Sequence, residues 1–158
     1  MANAVMVDVA EAVKTMLSAA SLSQTFTLER SYADWDLELQ PTDGLRVDVA
    51  TVSTKQEANH DTREPSLHYI VQVDVAIRRK FGPEHYSGTG RVPNAQIDPL
   101  ILLVQEIHAL FVQHRFSGND GAIAWEKSPQ LMALPVIKHL RELKQFTAII
   151  RLTFRATP

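Results

Sequence analysis

Apolar and polar residues alternate with period two from Leu67 to Phe81, LHYIVQVDVAIRRKF, the longest unbroken run of this kind in the chain. Leu67, Tyr69, Val71, Val73, Val75 and Ile77 fall on one side, and His68, Gln72, Asp74, Arg78 and Lys80 fall mostly on the other. Strict alternation with β-branched residues on the apolar side predicts a strand with one buried face. Ile70 and Ala76 soften the polar side, which suggests partial cover by another chain. Ordinary strands run about five or six residues, so this one is expected either to bend or to project beyond its own domain.

The pattern before this strand predicts a helix over about Ala4–Ala20, where Val5, Val9, Val13, Met16, Leu17 and Ala20 recur at helical spacing. Phe26–Tyr32 alternates as a short strand. A turn-rich connection follows, in which Trp35, Leu37 and Leu39 are expected to cap the core and Asp43-Gly44 to turn the chain. LRVDVATV is the next strand, with Leu45, Val47, Val49 and Thr51 on one side. Between it and the long strand, Ser53–Ser66 contains one alanine and no larger apolar residue. A connection of that length without structure of its own is functional or mobile, and it is read as an extended polar flap at about 53–66.

After the long strand, a polar loop leads to Asp98-Pro99, an N-cap and first-turn proline that predict a helix start. That helix is expected to reach about His114 with a broad stripe of Leu100, Ile101, Leu103, Val104, Ile107, Leu110 and Phe111. GAIAWEK reads as a short strand ending near Ser128-Pro129, Pro135 as the opening of a short helix, and FTAIIRLTFRA as the closing strand. Consecutive strands without crossover helices favour an α+β domain. The expectation is an antiparallel or mixed sheet of about four to five strands with two main helices packed on one face.

Composition narrows the chemistry. The 158 residues suit one domain, and 45% hydrophobic content supports a core. A formal net charge of −2 with mixed signs argues neither for nucleic acid nor for a basic partner. The absence of cysteine excludes disulfides, thiolate zinc sites and cysteine nucleophiles. The N-terminal pattern, with Asp8, Glu11 and Lys14 inside it, reads as a helix of a soluble chain rather than a signal peptide, and no run long and apolar enough to span a membrane is expected.

Candidate chemistry is sparse. His60, His68, His85, His108, His114 and His139 form no metal-ligand spacing. His68 would make an acid–base couple only opposite a carboxylate. Asp34, Asp36 and Glu38 alternate as a metal site could, or as a solvated strand face with Trp35, Leu37 and Leu39 behind it, and the second reading is preferred. Gly88–Gly90 lacks a phosphate-loop pattern, and no serine elbow is present. Arg78, Arg79 and Lys80 end the long strand, while Arg151 and Arg155 share the polar side of the last one. Neighbouring strands would merge them into a basic stripe able to meet phosphates. The preferred alternative is salt bridging to Asp48 and Asp74, or to an adjacent subunit. No aromatic residues interleave for base stacking.

Taken in order, FTLERSYADWDLELQPTDGLRVDVATVS, a polar insertion, YIVQVDVAIRRKF, IDPLILLVQEIHALF, AIAWEK and LRELKQFTAIIRLTFRA resemble small neck proteins of tailed bacteriophages, of the tail terminator or tail-completion type. The resemblance implies a single tail-terminator-like domain over 1–158 that assembles as a ring, commonly a hexamer. It implies a structural virion protein at the head–tail junction, not an enzyme and without a cofactor. Such a ring terminates the tail tube and joins it to the head connector. Its partners would be the tail tube protein and head-connector or adaptor proteins, with non-specific contact to DNA in the channel and none to a membrane. It would be assembled in the host cytoplasm. Lys55, Glu57, His60, Asp61 and Arg63 of the flap, with Arg78, Arg79, Lys80, Arg151 and Arg155, are the expected subunit or partner contacts. The alternatives are a head-closure or adaptor protein of the neck, or, in another class, a small cytosolic nucleic-acid-binding domain.

Overall fold

The computed structural model describes residues 4–32, 38–59, 66–86, 90–113 and 123–157. Its elements are α1 (Val5–Ala19), β1 (Thr27–Arg30), a 3-10 turn (Pro41–Asp43), β2 (Leu45–Asn59) and β3 (Ser66–Lys80). The short turn α2 (Pro83–Tyr86), α3 (Asn94–Gln113), β4 (Ile123–Ala133), a π-helical turn (His139–Leu143) and β5 (Gln145–Ala156) complete the chain. The strands form one sheet in the order β1-β2-β3-β5-β4. β1 runs parallel to β2, and every other pair is antiparallel. This is the mixed-sheet α+β class that the alternation predicts, with two main helices.

Period two decides what each strand buries. Val47 and Val49 of β2, Val71, Val73, Val75 and Ile77 of β3, and Phe146, Ala148, Ile150, Leu152 and Phe154 of β5 are all buried on one side. They join a single cluster with Val9, Val13 and Leu17 of α1 and Leu100, Leu103, Val104, Ile107 and Phe111 of α3. α1 lies against β1, β2, β3 and β5, and α3 lies against β4 and β5, so together the helices cover this side. Trp125 closes the β4 edge of the core, stacked on Phe154 with ring centroids 4.5 Å apart and met edge-on by Phe111.

Three boundaries differ from the sequence reading. First, α3 starts at Asn94, with Pro99 inside it. An interior proline forfeits one backbone bond, here to the Ala95 carbonyl, and burial of the stripe that follows offsets that loss. Second, β4 passes through Pro129 to Ala133, with register irregularities between Trp125/Lys127, Lys127/Gln130 and Leu131/Ala133. β4 is an edge strand, where a residue without an N–H removes no ladder bond on its outer side. Third, the stretch read as an unstructured connection is strand over 53–59, paired with β3 from Gln72 to Ser66 after a bulge at Val52. Residues 60–65, and His60, Asp61 and Arg63 with them, lie outside the described residues, as do Asp34, Trp35, Asp36 and Leu37.

α3 also departs from expectation in character. It has 20 residues and a mean hydropathy of 1.4, long and apolar enough by composition to cross a membrane. Its buried stripe makes it a core helix of this domain instead. Leu103→Ala should therefore destabilise the domain by about 2–5 kcal/mol, whereas Leu102→Ala, on the exposed side, should stay within about 0.5 kcal/mol. Urea unfolding of the two variants checks both.

Candidate functional site

Among the described residues α1 and α3 both pack on the first side of the sheet, yet much of the other side is buried too, Asp48, Ala50, Asp74, Ala76, Arg78, Gln145, Thr147 and Thr153 among it, and its residues follow from the same alternation. β1 contributes Glu29, β2 Arg46, Asp48 and Ala50, and β3 Gln72, Asp74, Ala76, Arg78 and Lys80. β5 adds Gln145, Thr147, Ile149, Arg151, Thr153 and Arg155. Register sets like charges directly opposite each other at two points: Arg46 faces Arg78, and Glu29 faces Asp48. Such pairs are unfavourable by themselves. Here the diagonals resolve them. Asp48 accepts from Arg46 Nη2 at 3.1 Å and from Arg78 Nη2 at 2.9 Å, while Arg46 Nη2 also donates to Glu29 at 2.7 Å.

The pattern continues across β5. Asp74 and Arg151 are directly opposite and form a two-point fork at 2.9 and 3.1 Å. Arg155 forks onto Glu126 at 2.9 and 3.2 Å, and Lys80 donates to Glu38. The Asp48 side chain is fully buried and that of Arg78 is 4% exposed, whereas those of Arg155 and Glu126 are 45% and 30% exposed. Ala76, opposite Asp48 and Ile149 and flanked by Asp74 and Arg78, is buried as well.

The guanidinium of Arg46 is held above its ordinary range, chiefly by its hydrogen bond to Asp48, and that of Arg151 is raised by Asp74. A group raised above its unfolded value contributes stability below that value and loses it only as pH climbs through the folded one. Both arginines therefore hold their contribution throughout the physiological range.

One end of this side is covered by the chain itself. Gln145 and Thr147 are buried, with Leu39 N–H donating to Gln145 Oε1 at 2.8 Å, Gln145 Nε2 donating to Thr147 Oγ1 at 3.3 Å, and His139 Nδ1 2.8 Å from the same hydroxyl. The segment around Leu39 and the turn His139–Leu143 thus lie over the Lys80 end of β3. The Leu143 carbonyl accepts from Lys80.

Of the residues singled out from sequence, Arg78, Arg151 and Arg155 share this side, each bonded to a carboxylate, which is the salt-bridged arrangement rather than a free basic stripe. Arg78 is 3% exposed. Arg79 points to the helix side, its guanidinium 5.6 Å from the Phe81 ring centroid. Lys55 and Glu57 sit on the projecting part of β2, 3.4 Å from each other. His68 does face a carboxylate: Glu57 is opposite it, at 3.9 Å, too far for a hydrogen bond. Sequence reasoning missed Glu29, Arg46 and Glu126 as ladder members and the Gln145–Thr147–His139 cluster. Their positions on period-two faces were the available signal. Among the described residues no group of three His, Asp or Glu is placed to hold a metal ion.

The chain matches no protein-family model and no curated protein.

Breaking a buried ion pair leaves an uncompensated charge, which costs about 3–5 kcal/mol, whereas an exposed pair contributes about 0–1 kcal/mol. Asp48→Ala should therefore lower stability several-fold more than Glu126→Ala. Denaturant melts of the two variants, read side by side, check the ordering.

Proposed function

We propose that this chain is a structural ring subunit of the head–tail junction of a tailed bacteriophage, of the tail terminator type. The observation that carries the reading is the division of the sheet. One side is packed by helices, the other carries an array of paired charges, and the β2–β3 ribbon leaves one end. β5 ends opposite Tyr69 and β1 ends opposite Val49, so beyond those points, among the described residues, β2 and β3 pair only with each other, out to Asn59 and Ser66. Glu29, Arg46, Arg151 and Arg155, the more exposed charges of that side, offer polar contacts to a neighbour, and the ribbon extends the reach of the subunit past its own core. A ring closes through heterologous contacts, in which two different patches of each subunit meet. The charged rim of the polar side and the projecting arm offer two such patches. The order of elements along the chain adds the resemblance to neck proteins, which leaves a head-closure or adaptor role as the near alternative.

A nucleic-acid-binding domain has less support. The six cations Arg46, Lys55, Arg78, Lys80, Arg151 and Arg155 are matched by Glu29, Glu38, Asp48, Glu57, Asp74 and Glu126. Phosphate binding would have to compete with those carboxylates. Anisotropy titrations with single- and double-stranded DNA between about 50 and 200 mM salt, a range over which multi-phosphate binders lose about 10³–10⁵ in affinity, should show weak binding and a shallow slope. Tight binding with a steep slope would favour the nucleic-acid reading.

Imaging of assembled particles tests the proposal directly: density for this chain should form a ring between head and tail tube. Its absence from the particle, or its location on the capsid surface, would sink the reading. A second check shortens the arm. Replacing residues 58–67 by an Asn-Gly turn, which suits a two-residue hairpin, should change stability by less than about 1 kcal/mol, since surface changes away from a core stay small. It should abolish joining of heads to tails. Normal joining would remove the hairpin from the function.

A further inference from the structure

The two edges of the sheet are managed differently. β4 is irregular, with Pro129 in the strand and three breaks in register, devices that blunt an edge against pairing. The opposite edge is β1 only as far as Arg30, which pairs with Val49, and the Ser31 N–H then donates to the Val49 carbonyl. From Thr51 onward the outer edge of β2 has no neighbouring strand among the described residues, and residues 52–56 are exposed. No proline interrupts 51–59, and after Val52 the ladder to β3 runs without a further break. The charges that would blunt this edge, Lys55 and Glu57, face each other at 3.4 Å on one side of the strand. Lys55 is 76% and Glu57 38% exposed.

The order of those residues carries more information. Around Gln56, the stretch Ser53-Thr54-Lys55-Gln56-Glu57-Ala58-Asn59 is self-complementary when read against itself in the reverse direction. Antiparallel pairing centred on Gln56 sets Lys55 opposite Glu57 of a second copy, and Glu57 opposite its Lys55. Thr54 then stands opposite Ala58, and Ser53 opposite Asn59. Opposite charges across an antiparallel pair are favourable, and like charges are not. Any other centre between Thr54 and Ala58 loses this double match. The paired stretch also stops short of β1, which ends opposite Val49.

We propose that the outer edge of β2, Ser53–Asn59, pairs antiparallel with the same edge of a second copy of this chain about a twofold axis at Gln56. The contact joins the two sheets into one of ten strands. It goes beyond the proposed place in a particle and does not rest on it: a cyclic ring has no twofold axis in its plane, so this contact links two free subunits or two rings, not neighbours within one ring.

The chain contains no cysteine, so a single introduced one reports on the axis. Residues opposite each other lie about 4.5–5.5 Å apart between Cα atoms, within the range of about 4.4–6.8 Å that a disulfide spans. Gln56→Cys should cross-link to its own copy on mild oxidation. Ser53→Cys should not, because its two copies are displaced by six residues, about 20 Å along the strand. In sedimentation velocity across a concentration series, Lys55→Glu and Glu57→Lys should each weaken self-association about tenfold, about 1.4 kcal/mol. An equimolar mixture of the two variants should associate at least as well as the parent, since all four charges are then matched. Three results would overturn the proposal: a monomer at every concentration, Ser53→Cys cross-linking as fast as Gln56→Cys, or a dimer indifferent to both charge changes and to their mixing.

Discussion

Asp48 accepts hydrogen bonds from two arginines that the sheet register sets face to face, and the charged side of the sheet depends on that one carboxylate. Arg46 and Arg78 stand on adjacent strands at the same level, where two guanidinium ions repel each other. The fully buried Asp48 side chain lies between them, one step along β2, with a separate oxygen for each. Glu29 then satisfies the other side of Arg46, and Asp74 and Arg151 repeat the motif one strand further on. Charge-assisted forks of this kind are directional as well as strong. Ala50 and Ala76 are buried on this same side.

This arrangement separates the two jobs of the sheet. Apolar burial, the main favourable contribution to folding, is concentrated on the side packed by α1 and α3. The other side is free to carry specificity, because its cations and carboxylates match in number and form a fixed pattern of signs rather than a net field. Surfaces of that kind select partners by register and pay little in long-range attraction to polyanions. The β2–β3 ribbon follows from the same economy of strands. Beyond Tyr69 no third strand pairs with it among the described residues, and a lone two-stranded ribbon is marginal by itself. It is anchored at its base by the core, and from Thr51 onward its β2 edge has no neighbouring strand among the described residues.

Much of this was legible in the sequence. The alternation of β3 and β5 identified both strands and their buried faces, and helical spacing identified α1 and α3. The α+β class followed from their order. Local signals failed where tertiary packing outweighed them. Asp98-Pro99 reads as a helix start, yet the chain is already helical from Asn94. Pro129 reads as a strand end, yet it is accommodated on an edge. The polarity of 53–59 reads as loop, yet this stretch pairs with β3 from Gln72 to Ser66, and residues 53–56 are exposed.

The sequence by itself determined which residues share a side of each strand, because side-chain direction alternates with every residue whatever the partner. It therefore placed Arg78, Asp74, Arg151 and Arg155 on polar faces and offered Asp48 and Asp74 as their partners. Only the tertiary structure decided which charges meet. Arg151 and Asp74 are 77 residues apart in the chain, and β5 is inserted between β3 and β4 rather than added after them. Strand order and register belong to the packed sheet as a whole, since shifting one strand by a single residue would exchange its buried and open faces. That collective choice turned a candidate basic stripe into a ladder of ion pairs.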